Sequence, residues 1–425
     1  MTKSSISIFL FILFITSSCG EYFYYTEKKD FNRKYTLKAP KAYCSTNQQS
    51  NKLTIAGSSK KAVRIFNDLV TSVPEIKRLS LIELSVMWGL FQLNVRPDLA
   101  SPTSRLQAMV KIKNKLNYLQ FDQHVSKTPY LSGLNYILKR YNSKASLIRI
   151  AKLLHKHLPR TIPIDNDFSQ FLEKNQTKLQ NHDQFKSAFF KASQVIRKGE
   201  SLPKINFKKI TLQRDRKKPV RPNTHLFATK ISKDQNIYCN VDLTLYKNNI
   251  FLISNEDAPE GLPFSISKKN GDHIILVASN QLQTIMPFKE TFNLKGKANG
   301  NPMVFCYLKS KQTQNEFSIV SSKGRDPGQF IYHLLNIDLQ DSKTLKETQN
   351  YINFPRHLFL RSPDRLIYES IKGSEEQLQN YLGLNFPIFH KTHLGRIWIH
   401  AKLNDSKKSG LLLDRRTEGA LACIR

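Results

Sequence analysis

The sequence lacks a hydrophobic run long enough to cross a membrane. Its N-terminal apolar run, Ile6–Ile15, contains one serine and follows a single lysine, Lys3. A membrane-spanning helix needs about 20 apolar residues, so this run is too short. A positive start, a short apolar core and small residues after it are typical of a secretory signal. We therefore expect residues 1–18 to be removed on export.

Acidic residues are scarce. The chain has 33 Asp and Glu against 66 Lys and Arg, which gives a formal net charge of +33. Such an excess creates a long-range potential that attracts polyanions, but it does not specify a fold. The expected partners are therefore an anionic envelope polymer, anionic lipid headgroups or another envelope protein, and nucleic acid is not favoured. The alternative is a chain adapted to a cell whose exported proteins are basic.

Familiar catalytic and metal-binding motifs are also missing. The sequence contains neither a nucleophile elbow nor a phosphate-binding glycine loop, and no two cysteines have zinc-knuckle spacing. Three histidines, His390, His393 and His400, are weak candidates for a metal site. Because Arg396 and Lys402 share a strand face with His400, their positive charges oppose a cation. We expect surface histidines, no metal and no cofactor.

The signal segment ends in Thr16-Ser17-Ser18-Cys19, which resembles the lipobox of bacterial lipoproteins. The resemblance implies that Cys19 becomes a lipidated first residue that anchors the chain in the cell envelope. Among lipoproteins, Gly20 at the next position implies passage to the outer membrane. The alternative is ordinary signal peptidase cleavage after small residues such as Thr16 and Ser18.

Cysteine usage agrees with lipidation. The chain has five cysteines, an odd number that leaves one thiol unpaired in an exported protein unless one is modified. With Cys19 lipidated, four candidates remain for two disulfides: Cys44, Cys239, Cys306 and Cys423. Disulfides persist in oxidising compartments, whereas the alternative is four buried free thiols. Four cysteines allow three pairings, and the sequence does not select one.

The N-terminal half has the apolar periodicity of helices. Across residues 57–199, apolar side chains recur at three- and four-residue intervals. The run that begins at Ser80 is apolar on nearly all sides and predicts a central buried helix. Ser101-Pro102 is a helix-start signal, and a last helix is predicted to end at Gly199. The stripe after Ser101 consists of Leu106, Met109, Leu116 and Leu119. Together these patterns predict a bundle of about six helices.

Residues 200–222 form a basic segment with three prolines and no sustained periodicity. It predicts an interdomain linker that could hold a polyanion through contacts that weaken as salt increases. The candidate polyanion-binding residues are Lys208, Lys209, Arg214, Arg216, Lys217, Lys218 and Arg221. The alternative is a solvated linker, which is what most charged runs are.

The C-terminal half has the patterns of strands. Residues 237–246 alternate between apolar and polar side chains, which is typical of a half-buried strand. Asn270-Gly271 predicts a hairpin turn because both residue types tolerate positive φ. Two helices are expected among the strands, near Thr344–Ile352 and Ser374–Tyr381.

The predicted fold class is therefore α+β, a helical bundle followed by a mainly antiparallel, sandwich-like β domain with a few helices. The predicted segments are a signal peptide (1–18), a lipid-anchored strap (19–56), a helical domain (57–199), a basic linker (200–222) and a β-rich domain (223–425).

Three functions fit these observations. The leading expectation is a lipid-anchored envelope protein with a non-enzymatic binding or structural role. The alternative is an exported hydrolase that acts on cell-wall polymer or glycan. A third possibility is a polyanion binder that recognises charge alone. No catalytic residues are identified from the sequence.

Overall fold

The computed structural model describes residues 41–42, 53–181, 183–207, 221–229, 235–247, 261–279, 303–322, 326–337, 339–360, 364–369, 387–391, 393–417 and 419–424. The helices are α1 (Lys60–Ser72), α2 (Pro74–Lys77), α3 (Leu81–Val95), α4 (Pro129–Arg140), α5 (Leu147–His157), α6 (Asn166–Lys174), α7 (Gln176–Gln180), α8 (Asp183–Phe189), α9 (Thr244–Lys247), α10 (Pro327–Asn336) and α11 (Leu345–Asn353).

The strands are β1 (Lys41–Ala42), β2 (Leu53–Gly57), β3 (Arg105–Ile112), β4 (Lys115–Phe121), β5 (Thr161–Pro163), β6 (Phe190–Lys191), β7 (Gln194–Val195), β8 (Ser201–Pro203), β9 (Phe227–Thr229), β10 (Gln235–Cys239), β11 (Leu262–Lys268), β12 (His273–Ser279), β13 (Met303–Ser310), β14 (Glu316–Ser322), β15 (His357–Leu360), β16 (Arg365–Glu369), β17 (Ile388–Lys391), β18 (Arg396–Leu403), β19 (Lys408–Leu413) and β20 (Ala420–Ile424).

Two large sheets form the centre of the fold. One has seven strands in the order β1-β20-β2-β11-β12-β3-β4, and the other has six in the order β19-β18-β14-β13-β10-β9. Within the described strands of these two sheets, only the β1–β20 pair is parallel. The prediction of a mixed chain with mainly antiparallel sheets is confirmed at this level.

The two sheets pack face to face through an apolar layer. Alternate side chains of each strand point into it, as strand geometry requires. Its buried members are Ala56, Met109, Tyr118, Ile275, Val277, Met303, Phe305, Val320, Trp398, Leu411, Leu413 and Leu421. Helices α1, α3, α4 and α5 cover the outer face of the seven-stranded sheet, and α10 and α11 cover that of the six-stranded sheet. The layer order is helix, sheet, sheet, helix.

Helix α3 is the buried central helix that the sequence predicts. All of its residues are buried, and it packs on β11 and β12. Ser80 caps it, because the Ser80 hydroxyl accepts from the Glu83 amide and the Glu83 carboxylate accepts from the Ser80 amide. The Trp88 indole donates to the Ala56 carbonyl at 3.1 Å, which joins the helix to strand β2.

The helical bundle predicted over residues 57–199 is not supported, because five strands, β3 to β7, lie inside it. Met109 points into the layer between the sheets, whereas Leu106 points to the helices, so the predicted stripe is split between two faces. Lys113 and Asn114 both have positive φ and form the turn between β3 and β4. A three-residue apolar spacing fitted a helix, but the chain here has the two-residue period of a strand.

Local turn and cap signals give mixed outcomes. Asn270-Gly271 joins β11 to β12 as predicted, and Gly271 has φ +89°. Thr344 caps α11, whose position also agrees with the prediction. The helix predicted to end at Gly199 instead ends at Phe189, and the hairpin β6–β7 follows it. The helix predicted at 374–381 lies outside the described residues.

The seven-stranded sheet contains strands from distant parts of the sequence. Strands β2, β3 and β4 come from the N-terminal half, whereas β11, β12 and β20 come from the C-terminal half. Strand β20 lies between β1 and β2, so the end of the chain pairs with its beginning.

Cys239 and Cys306, two of the four candidate cysteines, form a disulfide. They lie opposite each other on β10 and β13, with Cα atoms 4.2 Å apart, and both are buried under the helices of the six-stranded sheet. Cys423 is also disulfide-bonded. Cys19, Cys44 and the signal segment lie outside the described residues. Among the described residues, no helix combines the length and the apolarity needed to cross a bilayer.

We predict that replacing both Cys239 and Cys306 with alanine lowers the free energy of unfolding by about 2–4 kcal/mol. The bridge joins positions 67 residues apart, so its loss frees a long loop in the unfolded chain. Denaturant unfolding of the two proteins at equal pH measures the difference. An unfolding energy equal to that of the parent would contradict a stabilising role for this bridge.

Candidate functional site

A polar cluster lies between the sheets at the end where β3 begins and β4 ends. Alternation brings Arg105 and Gln107 of β3 to the inner face, beside Tyr118 and Gln120 of β4. Asn240 approaches from the opposite sheet, immediately after β10. We call Arg105, Gln107, Tyr118, Gln120, Asp122 and Asn240 the mouth cluster.

The Tyr118 hydroxyl is the centre of the mouth cluster. It accepts from Gln107 Nε2 at 2.7 Å and from Asn240 Nδ2 at 3.2 Å, and it donates to Gln120 Oε1 at 2.9 Å. Burial raises the pKa of Tyr118 to about 12, so the phenol keeps its proton at neutral pH. Asn240 also binds backbone atoms of Met303 and Phe305, which fixes the two sheets relative to each other at this end.

Arg105 has unused donors at the mouth. Its Nε and Nη1 atoms are buried and have no hydrogen-bond partner among the described residues. Burial lowers the pKa of the guanidinium, and the nearby Asp122 carboxylate opposes that shift. Ser279, the register partner of Arg105 on β12, has a buried hydroxyl that also lacks a partner there. A charged group with free donors in a buried position is suited to an anion, because leaving such donors unpaired costs free energy.

The segment Asn223-Thr224-His225 runs along the edge of the mouth. Asn223 exchanges two backbone hydrogen bonds with Gln120, at 2.8 and 3.0 Å, so the segment is attached to β4 beside the mouth cluster. The Asn223 side chain accepts from the His225 amide at 3.0 Å. Thr224 lies between them and is exposed. Thr224 therefore places a hydroxyl side chain at this end of the sheets.

An arginine–aspartate bridge joins the two sheets at the same end. Arg96, before β3, holds Asp98 through two hydrogen bonds of 2.9 and 2.8 Å. Arg396, the first residue of β18, donates to Asp167 at 3.0 Å, and Arg96 lies 3.7 Å from the same carboxylate. Nearby Asp165 caps α6, and burial raises its pKa to about 6 against the opposing charge of Arg96. These groups stabilise the end of the sandwich where the mouth cluster lies.

A second polar cluster, the histidine cluster, lies at the opposite end. Six strand residues separate Arg105 from Lys111, about 20 Å at the usual strand rise. His273 of one sheet stacks on His400 of the other, with ring centroids 3.7 Å apart, and both are buried. The Gly271 carbonyl accepts from His273 Nδ1, so Nε2 is free to accept from Ser318 Oγ at 2.8 Å. His400 Nε2 contacts Ser409 Oγ at 3.1 Å.

Burial, reinforced by neighbouring positive charge, keeps both imidazoles of the histidine cluster neutral. Burial lowers the pKa of His273 to about 4, and Lys111 adds to the shift. Burial and the neighbouring His273 hold the pKa of His400 well below its usual range. Burial also lowers the pKa of Lys111 to about 8, although Lys111 is paired with Glu316. Because both imidazoles are buried and contact serine hydroxyls, this end fits a structural role better than a catalytic one.

The residues singled out in the sequence do not converge on one site. The described residues contain no group of three metal-ligating side chains. His393 is exposed and His390 is partly buried, whereas the expectation of a surface position is wrong for His400, because β18 directs it between the sheets. Of the linker candidates, Arg221 is exposed, and Lys208, Lys209, Arg214, Arg216, Lys217 and Lys218 lie outside the described residues.

The mouth residues were missed because they lie where a helix was predicted. Gln107 and Gln120 interrupt an apolar region at strand spacing, and this alternation was the available signal. The sequence around Asn240 and around Thr224 does not indicate a functional site, because the position of each residue at the mouth depends on which strand it approaches in the fold.

Comparisons with solved structures identify the fold. The chain is similar to the crystal structure of cephalosporin acylase from Bacillus halodurans, with a TM-score of 0.60, 10% identity, and 88% of this chain and 96% of that chain covered. It is also similar to two structures of LmbA2991, with TM-scores of 0.62 and 0.61 and identities of 8% and 7%. These matches cover 91% and 87% of this chain and 99% and 98% of those chains. No protein-family model and no curated protein sequence matches the chain.

These similarities correct the leading functional expectation. A non-enzymatic binding or structural role was expected because the sequence has no recognised catalytic motif. The fold is instead one found in an acylase, and the match extends over nearly the whole of both chains.

We predict that the neutral histidine cluster makes the protein sensitive to acid. His273 binds a proton near pH 6.5 when unfolded but only near pH 4 when folded, so the unfolded state takes up more protons between these values. The free energy of unfolding should be fully retained above about pH 6.5 and should decrease by up to about 3 kcal/mol for His273 as the pH falls to 4.

Denaturant unfolding at a series of pH values measures this effect. His273→Gln and His400→Gln should each make the free energy of unfolding depend less steeply on pH between pH 6.5 and 4. This holds whatever either substitution does to the free energy of unfolding at pH 8. Exposed His393→Gln is the matched control and should leave the slope unchanged. Equal slopes in all four proteins would contradict the assignment.

Proposed function

We propose that this protein is an exported hydrolase that cleaves an amide bond in a component of the cell envelope. The observation that carries the proposal is the similarity to cephalosporin acylase over 88% of this chain and 96% of the acylase chain. The mouth cluster supports it, because buried, unpaired donors beside an exposed hydroxyl are arranged where a substrate could enter. Sequence identity of 10% does not assign the substrate.

Thr224 is the proposed nucleophile. Its Oγ1 would attack the substrate carbonyl carbon, the C–N bond would break, and the amine would leave with a proton. Water would then hydrolyse the acyl ester and regenerate the hydroxyl. The step needs a base, and a free Thr224 α-amino group would supply one after cleavage of the Asn223–Thr224 peptide bond. The two hydrogen bonds between Asn223 and Gln120 would hold that bond at the mouth.

Arg105 is the proposed anion-recognising residue of this site. Its free Nε and Nη1 donors match the two oxygens of a carboxylate. The mouth cluster contains one carboxylate, Asp122, whereas glycoside hydrolysis usually requires two carboxyl groups on either side of the bond. This composition favours an amide in a peptide or acylated polymer over a glycosidic bond.

Export and lipid anchoring at Cys19 remain part of the proposal. The signal-like segment and its lipobox-like end support them. The Cys239–Cys306 disulfide is consistent with an oxidising compartment. An acyl chain at Cys19 would keep the hydrolase at the membrane, close to envelope substrates.

We predict that Thr224→Ala lowers amide hydrolysis by more than about 1,000-fold, since it removes the attacking oxygen. Thr224→Ser should keep measurable activity because it retains a hydroxyl. The assay measures release of primary amine from a panel of N-acyl peptides. Exposed Thr177→Ala on α7 is the matched control and should retain the parent rate.

Mass spectrometry adds a second measurement for the same site. A peptide that begins at Thr224 in the parent protein supports the free α-amino group. If Thr224→Ala keeps the parent rate, the nucleophile is another residue. If the parent hydrolyses no amide in the panel, the proposed function itself is wrong.

We predict that Arg105→Gln lowers kcat/KM by about 10- to 100-fold for an acyl group that ends in a carboxylate. For a substrate with an uncharged acyl group of equal length, Arg105→Gln should lower kcat/KM less than about threefold, because that group makes no ion pair with the guanidinium. Arg105→Lys should be intermediate for the anionic substrate, since it keeps the charge but not the fork of donors. Equal losses on the two substrates would contradict anion recognition by Arg105.

A further inference from the structure

One stretch of the chain is basic without any acidic residue. From Gln123 to Ile164 there is no aspartate or glutamate, although the sequence has eight lysines and arginines there. All eight are exposed: Lys127, Lys139, Arg140, Lys144, Arg149, Lys152, Lys156 and Arg160. Seven of them lie on the second half of α4, on α5 and on the loops beside them. This stretch therefore contributes +8 to the formal net charge of +33.

Helix α5 presents a continuous basic face to the outside. Leu147, Ile150 and Leu154 point inward and pack in the core that also contains α3. Arg149, Lys152 and Lys156 follow one another at three- and four-residue intervals on the opposite face, so their side chains are neighbours. Only Lys156 has a described acidic neighbour, Glu75 at 3.4 Å, and both side chains are exposed. We call Ile148, Arg149, Lys152 and Lys156 the basic face.

An aliphatic side chain lies among these charges. Ile148 is 57% exposed, more than any other large hydrophobic residue of the described chain. It precedes Lys152 by one helical turn, so it lies beside the charged groups. A single exposed isoleucine is common on protein surfaces. An exposed isoleucine among basic side chains, on a helix that has no acidic residue, is less common.

We propose that the basic face docks on an anionic lipid bilayer. Each lysine or arginine near such a surface strengthens attraction to acidic headgroups, and an aliphatic side chain at the same level enters the boundary with the acyl chains. An anionic polymer offers phosphates or carboxylates but no apolar layer for Ile148, so the bilayer is the partner that uses both features. The proposal does not depend on the hydrolase assignment or on lipidation of Cys19.

Docking on this face would set the orientation of the protein on the membrane. Helix α5 is the outermost element over α3, which in turn lies on the seven-stranded sheet. The bilayer would therefore contact the helical layer. The mouth cluster, at the end of the two sheets, would be left at the side of the bound protein.

The test is binding to vesicles of phosphatidylcholine with or without 30% phosphatidylglycerol, measured by co-sedimentation. Every protein begins at residue 19 and carries Cys19→Ser, so that neither the apolar run Ile6–Ile15 nor an acyl chain contributes. The triple variant Arg149→Gln, Lys152→Gln, Lys156→Gln should bind anionic vesicles at least about tenfold more weakly. Ile148→Ser should weaken binding about threefold and leave the salt dependence unchanged, because it removes apolar contact and no charge.

A matched control removes equal charge elsewhere. Lys174→Gln, Lys178→Gln, Lys186→Gln changes three exposed lysines of α6, α7 and α8 and should reduce binding less than threefold. Equal weakening by the two triple variants would overturn the proposal in favour of general charge attraction. A second arm uses soluble polyphosphate. The triple variant of the basic face is the one to compare. If it binds polyphosphate more weakly than the parent but binds anionic vesicles equally well, the basic face binds a polymer and the proposal is wrong.

Discussion

Face-to-face packing of the two sheets is the constraint on which the other features depend. It forces every second residue of each inner strand into a layer that excludes water, so apolar residues must occupy its middle. Strand β3 illustrates the result, because Met109 lies in the apolar centre while Arg105 and Lys111 lie at opposite ends. Apart from small hydroxyl residues such as Ser265, polar side chains between the sheets therefore lie toward the two ends of the sandwich. The helices on the outer faces complete the burial of both sheets.

The two ends differ in how their polar atoms are satisfied. In the histidine cluster, both rings contact a serine hydroxyl and stack on each other. At the mouth, Tyr118 bonds to three side-chain amides, yet Arg105, Gln107 and Ser279 keep buried polar atoms without partners among the described residues. An unsatisfied buried polar atom costs about 1–3 kcal/mol, a cost that is compatible with a site for a ligand. This contrast is the reason that we propose the mouth, and not the histidine cluster, as the site of substrate binding.

The local features that the sequence predicted correctly are those with a steric or capping origin. Asn270-Gly271 forms its hairpin because glycine accepts φ +89°, and Ser80 and Thr344 begin helices because their hydroxyls accept from free amides. The interpretation of residues 105–121 was wrong for an equally physical reason. A spacing of three between Leu106 and Met109 suits one face of a helix, and only pairing with β12 selects the strand.

Composition and local pattern were enough to give the positive charge, the buried central helix and the mainly antiparallel character of the C-terminal strands. These depend on composition or on neighbours within a few residues. Only the tertiary structure decided that β2, β3 and β4 join β11, β12 and β20 in one sheet, and that Asn240 and Thr224 lie beside Tyr118 and Gln120. Those positions are more than 100 residues apart along the chain. Their proximity follows from strand pairing and sheet stacking, which bury apolar surface of the whole chain. Because these contacts join distant segments, they produce no pattern among neighbouring residues in the sequence.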